Sequence, residues 1–293
     1  MAKTTQIKTI GNPLSWIAGT LTGAGSMIAK GTDAIGSHDI SLPEVQRLTA
    51  ADLRGALRDG LEDFLHFRTD VMMMAVIYPL IGLMLSFLAF QQEMFALLFP
   101  LAAGFALVGP LAATGLYEMS RRREAGEEAS WLHAFQLLRS PTFAPVMTLG
   151  LYLIAIYAVW LYAAAFIYRV TLGTLAPEGM MSFASMLFST SEGWAMIVIG
   201  NAVGFLFALT VLVTGFIAFP MLVDRCVGLP VAVTTSIRVA QQNKRITLGW
   251  GAIVATFLLI GAVPLFLGMI FVLPILGHGT WHLYRRAVRF PDS

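Results

Sequence analysis

From Phe143 to Tyr168 the chain carries no charged side chain, and comparable apolar blocks recur along its length. A block of about 20 apolar residues is the length of one membrane-crossing helix. A soluble domain uses about 25% charged residues, whereas this 293-residue chain has 12%, against 57% hydrophobic residues and a mean hydropathy of +0.74. Too few charges remain to solvate a globular surface. A membrane β-barrel would alternate apolar and polar residues in segments of about ten, and these blocks do not. The expected fold class is all-α: a polytopic helical membrane protein.

Two regions are expected. Residues 1–45 read as a polar tail, partly disordered or interfacial. Lys3 and Lys8 could open a signal peptide, but Gly11, Pro13, Gly19, Gly23 and Gly25 interrupt any apolar core behind them. Ile10, Leu14, Ile17 and Leu21 recur at helical spacing, which suits a short helix lying on the membrane surface. Residues 46–293 read as one helical membrane domain with spans at about 71–90, 94–117, 143–168, 194–223, 248–262 and 264–284.

An amphipathic helix is expected before each pair of spans. Over 50–67, Leu53, Leu57, Leu61 and Phe64 share a face, with Arg54, Arg58, Glu62 and Asp63 elsewhere. Over 130–139, Trp131, Phe135 and Leu138 align behind Ser130 as N-cap. Over 231–242, Val233, Ile237 and Ala240 align. Gln91-Gln92-Glu93 reads as a tight turn. In the longer loop after the third span, Met180, Phe183, Met186 and Leu187 suit the interface.

The number of crossings turns on Gly249–Arg286, too long for one comfortable span and short for two. Cytoplasmic loops carry the excess of Lys and Arg. With the N-terminus inside and two crossings here, every one of the 19 Lys and Arg except Arg169 is cytoplasmic. Gly261-Ala262-Val263-Pro264 supplies the break, at the cost of a short first limb. VGPLAATGLYEMSRR (108–122) and VLPILGHGTWHLYRR (272–286) match in spacing, with Pro110 and Pro274 each preceding an arginine pair; Pro220 before Asp224-Arg225 is a looser third instance. Six spans as three helical hairpins, both termini cytoplasmic, are therefore expected.

The segments YPLIGL (78–83), FPLAAGFALVGPLAATGLYEMSRRRE (99–124), AFQLLRSP (134–141) and LPILGHGTWHLYRR (273–286) resemble a bacterial family of integral membrane proteins catalogued as domain of unknown function 2189. The resemblance runs over roughly residues 50–290. It implies a multi-span protein of the bacterial inner membrane and brings no activity, ligand or catalytic residue.

His278 and His282, four apart, share a helical face and could offer imidazoles to a metal or a haem. No carboxylate lies nearby in sequence, so interfacial packing is expected instead, with Trp281 and Tyr284 in an aromatic belt. His66 and His133 read as solvated or interfacial. Arg121, Arg122, Arg123, Lys244, Arg245, Arg285 and Arg286 set the topology and can contact anionic lipid headgroups. Asn201, with Thr210 and Thr214 on the same span, is expected to hydrogen-bond across helices. No Asp, Glu or Lys falls at mid-span, which argues against a proton-coupled pump. The lone Cys226 excludes an internal disulfide.

Phosphate loops, HExxH and nucleophile-elbow patterns are absent, so neither an enzyme nor a cofactor is expected. The expected partners are the bilayer, its anionic lipids and a membrane protein, with no role for nucleic acid. A non-enzymatic accessory or scaffold component of the bacterial inner membrane is the expected function, and a small-solute or anion transporter or channel the alternative.

Overall fold

The computed structural model describes residue 36 and residues 42–67, 71–72, 75–91, 95–130, 140–173, 175 and 179–291. Most of the polar tail, the surface helix expected over 130–139 with His133, and the turn at residues 92–93 lie outside them. A short strand β1 (Glu44–Val45) leads into α1 (Ala50–His66) and α2 (Ile77–Gln91). Next come α3 (Leu98–Ala112), α4 (Thr114–Glu124), α5 (Phe143–Val170), α6 (Gly179–Ser189) and α7 (Ser191–Gly215). The chain closes with α8 (Ala218–Asp224), α9 (Leu229–Gln242), α10 (Lys244–Ala262), α11 (Met269–Ala287) and strand β2 (Val288–Arg289). The all-α class is as expected.

Among the described residues, four helical stretches are long and apolar enough to cross a membrane: Leu98–Glu124, Phe143–Val170, Ser191–Asp224 and Lys244–Ala262. The first joins α3 to α4 and the third α7 to α8. The sixth expected span, α11, is not among them because its second half is polar. The first is only a short apolar helix, Ile77–Leu88, in the described residues. The limb expected to be too short, α10, is in fact 19 residues long, because it begins at Lys244.

The prolines do what their chemistry requires. Lacking an N–H, Pro220 leaves the Phe216 carbonyl without its helical donor, and α7 gives way to α8 there. Ser236 of α9 is wedged into this joint. Its Oγ accepts from the Ile217 N–H at 3.2 Å and donates to the Val213 carbonyl at 2.8 Å. Ser236→Ala is expected to strand that buried N–H and to lower stability by about 1–3 kcal/mol; a denaturation curve in detergent measures it, and an unchanged midpoint refutes the role.

α10 and α11 form an antiparallel hairpin. Gly261 meets Met269 and Val272 at its tip, and Trp250 meets Gly279 at its base. The chain reverses at residues 263–268, where Leu265 and Phe266 take positive φ values of 53° and 62°. The reversal overlaps the end of the expected break at 261–264 and continues past Pro264. Gly249–Arg286 goes out and returns, bringing Arg285 and Arg286 to the same end as Lys244 and Arg245.

The three segments singled out for proline followed by charge, α4, α8 and α11, all touch one another. Their contact holds much of the core: Met119, Phe219, Met221, Leu222, Trp281 and Leu283 are fully buried. Outside this hub, α1 lies along α11, and α9 lies against α7 and α8. The N-terminus of α1 is closed by a capping box between Thr49 and Asp52. α1 buries Ala56, Gly60, Asp63 and Phe64, while Leu61 is exposed. The apolar face expected from the leucines is thus rotated, because the small residues permit a closer approach. A Cβ on Gly60 would sit 2.5 Å from the Gly279 nitrogen and 2.8 Å from the Ile275 carbonyl oxygen.

A two-stranded clasp ties the ends of this layer, Glu44 opposite Arg289 and Val45 opposite Val288. Asn243, buried between α9 and α10, holds the same strap: its Oδ1 accepts from the Leu48 N–H at 2.8 Å and its Nδ2 donates to the Gln46 carbonyl at 3.0 Å.

Candidate functional site

The polar side chains of the hub collect where α1, α4 and α11 meet. Asp63, on the face α1 turns inward, is almost fully buried and sits among three donors. Its Oδ1 accepts from Arg123 Nη1. Its Oδ2 accepts from the Ser120 hydroxyl at 2.6 Å and lies 2.9 Å from His282 Nε2. Burial pushes the Asp63 carboxyl up. The hydrogen bonds from His282 and Ser120, with the two histidines nearby, outweigh this and hold it at about 2. Asp63 is therefore an anion at neutral pH.

That charge orients the rest. Because Ser120 donates to Asp63, its oxygen is left to accept from His278 Nδ1, 2.7 Å away. His278 is completely buried, with its ring stacked on Phe67 at 6.0 Å between centroids, and its Nε2 has no hydrogen-bond partner. A second N–H there would be a buried orphan, so the neutral Nδ1–H tautomer fits. Serine, histidine and aspartate thus meet, but not in hydrolytic order. In a catalytic triad the histidine takes the serine proton; here the carboxylate accepts it directly, and the serine hydroxyl is buried.

A second network ties the three helix ends. Trp281 Nε1 donates to Glu124 Oε2 at 3.1 Å, and the Tyr284 hydroxyl to Asp224 Oδ2 at 2.7 Å. Arg285 bridges Glu124 and Asp224 at 3.0 and 3.3 Å. Arg286 pairs with Asp59 at 2.5 Å, and Arg121 and Arg122 share the buried Glu118.

Several expectations change here. Trp281 and Tyr284 form no aromatic belt: both are buried, each giving its polar atom to a carboxylate on another helix. His278 and His282 do find a carboxylate, 219 residues from His282 in sequence. Even so, no group of three or more His, Cys, Asp or Glu among the described residues could hold a metal ion. Five of the seven cations read as headgroup contacts, Arg121, Arg122, Arg123, Arg285 and Arg286, are engaged by protein carboxylates. Lys244 and Arg245 are exposed and have no ion-pair partner among the described residues. Asn201 does not bond across helices: its Nδ2 donates to the Ile197 carbonyl of its own helix at 2.8 Å, and Thr210 and Thr214 likewise bond one turn back. Ser120 and Asp63 were missed altogether; the only sequence signal was an acidic residue beside the apolar face of an amphipathic helix.

On the opposite side of α11 lies a cavity of about 560 Å³. Ala106, Gly109 and Ala113 of α3 and Leu276, Gly277 and Thr280 of α11 line one side, and residues of α7 and α10 the other. Its polar atoms are few. The Tyr78 hydroxyl donates to the Ala112 carbonyl at 3.2 Å, and the Thr280 hydroxyl to the Leu276 carbonyl at 2.7 Å.

Residues 98–224, which run from α3 through α8, match the family model described as predicted integral membrane protein (DUF2189). Over these residues the chain is similar to that family. The DUF2189 match is narrower than the expected 50–290. It takes in Ser120, Arg123, Glu124 and Asp224, but not Asp63, His278 or His282. None of the curated proteins and none of the solved structures gives a significant match to the chain.

Proposed function

We propose that the protein is a non-enzymatic accessory or scaffold component of a bacterial inner membrane. One observation carries this reading: among the described residues, the buried carboxylates Asp63 and Glu118 sit at one end and are paired with arginines, while the large void deeper in the bundle is apolar. A solute path needs polar groups spaced along its length. A scaffold needs a rigid frame, and the ion-paired hub supplies one. The direct donation of the Ser120 proton to Asp63 speaks against a nucleophile.

The frame is three helical hairpins with six crossings and both ends cytoplasmic. The mutual contact of α4, α8 and α11 supports it, as does the antiparallel course of α10 and α11. So does the placing of two surface helices against the returning limb of another unit: α1 on α11, and α9 on α8.

Mild extraction from native membranes, with crosslinking, is expected to recover a defined membrane-protein partner. Recovery as a lone monomer overturns the scaffold reading. Reporter tags on the two ends, active on only one side of the membrane, are expected to agree; opposite readings overturn the six crossings. The competing reading, a small-solute or anion carrier, draws on Pro110, which interrupts α3 beside the cavity. Flux through liposomes carrying the purified protein would establish it in place of the scaffold.

A further inference from the structure

We propose that the groove between α7 and α10 is a binding site for one anionic phospholipid, with an acyl chain in the apolar cavity and its phosphate at Lys244 and Arg245. The site stands or falls separately from the scaffold role, since it needs only the membrane-spanning helices.

The cavity is not sealed. Phe205 on α7 and Leu248 on α10 line it and are 56% and 47% exposed. Ala208, Ala252 and Ala255, all exposed, continue the same opening. It faces sideways between two span-length helices, where the surrounding medium is hydrocarbon. Water is a poor occupant, because a buried water needs two to four polar partners, and the three hydroxyls in the lining are already engaged: Tyr78 and Thr280 donate to backbone carbonyls and Tyr117 bonds Thr280. An empty cavity forfeits the dispersion contacts of its walls. A lipid tail is the filler at hand, and about 560 Å³ falls within the ordinary range of ligand pockets, roughly 300–1,000 Å³.

Apolar fit alone gives a tail little reason to prefer the cavity, since the bilayer is equally apolar. The headgroup supplies the preference. Residues four apart share a helical face, so Lys244 lies one turn below Leu248, at the cytoplasmic end of the groove, with Arg245 beside it. These are the two of the seven cations that have no ion-pair partner among the described residues. The two helices touch along the cavity lining: a Cβ on Gly251 would come 2.7 Å from Leu212 Cδ2.

The test is native mass spectrometry of the full chain, delipidated in detergent and given phosphatidylglycerol or phosphatidylcholine with identical acyl chains. The wild type is expected to retain phosphatidylglycerol about thirty-fold better, about five-fold for each basic residue. Lys244→Gln with Arg245→Gln is expected to abolish that preference. Ala252→Phe with Ala255→Phe, which fills the cavity, is expected to reduce retention of both lipids. A second readout covers poor expression of the filled variant. Phosphatidylglycerol with brominated chains is expected to quench a fluorescence component that Trp250→Phe removes, because Trp250 lines the cavity. Equal retention of the two lipids by the wild type, retention unaffected by filling the cavity, or quenching unaffected by Trp250→Phe each overturns the site.

Discussion

Asp63→Ala is expected to destabilise the protein by about 3–5 kcal/mol, the cost of breaking a buried ion pair by removing one partner. The substitution leaves the Arg123 guanidinium, the Ser120 hydroxyl and His282 facing a void. The loss should be strongly non-additive with Arg123→Ala, because the double variant no longer buries an unpaired charge. Unfolding in a denaturing detergent titration measures both. Additive effects sink the idea that the hub is held by this pair.

The same carboxylate fixes a pH dependence. Its folded value of about 2 lies below the ordinary 3.8, so the stability it contributes is fully present above pH 3.8 and is lost as the pH falls through about 2. The size is about 2 kcal/mol. Asp63→Asn should flatten the stability curve in that window, and an unchanged acid limb would show that other carboxylates dominate.

Gly60→Val is expected to cost about 3 kcal/mol or more by forcing α1 away from α11. The reason is that the neighbour is backbone, which cannot rotate aside as a side chain can. Gly60→Ala gives the sharper sign test. Alanine is the better helix former by about 1 kcal/mol, so a passive Gly60 predicts stabilisation. With a Cβ 2.5 Å from the Gly279 nitrogen, the structure predicts the reverse. A raised melting temperature for Gly60→Ala would refute the close crossing.

What the chain reveals before it folds depends on range. The membrane class and the break around Pro264 are local: they follow from hydropathy and from turn chemistry, and both were legible. The Pro220 joint is equally local, through its missing N–H, but the sequence reading ran one span through it, over 194–223. The site was not, because Asp63 and His282 are 219 residues apart and nothing in either neighbourhood specifies the other. Trp281 and Tyr284 were misread for a related reason. Aromatics beside arginines at a helix end look the same whether they face headgroups or a carboxylate from another helix. Asn201 was misread because a polar side chain in a span can satisfy itself on its own helix, and sequence gives no sign of which acceptor it takes.

The locking of α1 beneath α11 also sets the order of assembly. During synthesis α1 leaves the ribosome with its acidic inner face complete but its partner not yet made. Until α11 arrives, Asp63 has neither histidine, and the β1 strap has no strand to join. Long-range closure of this kind comes late and slowly. A ribosome stalled before Met269 should therefore leave α1 open to proteases, however well the intervening helices have entered the bilayer.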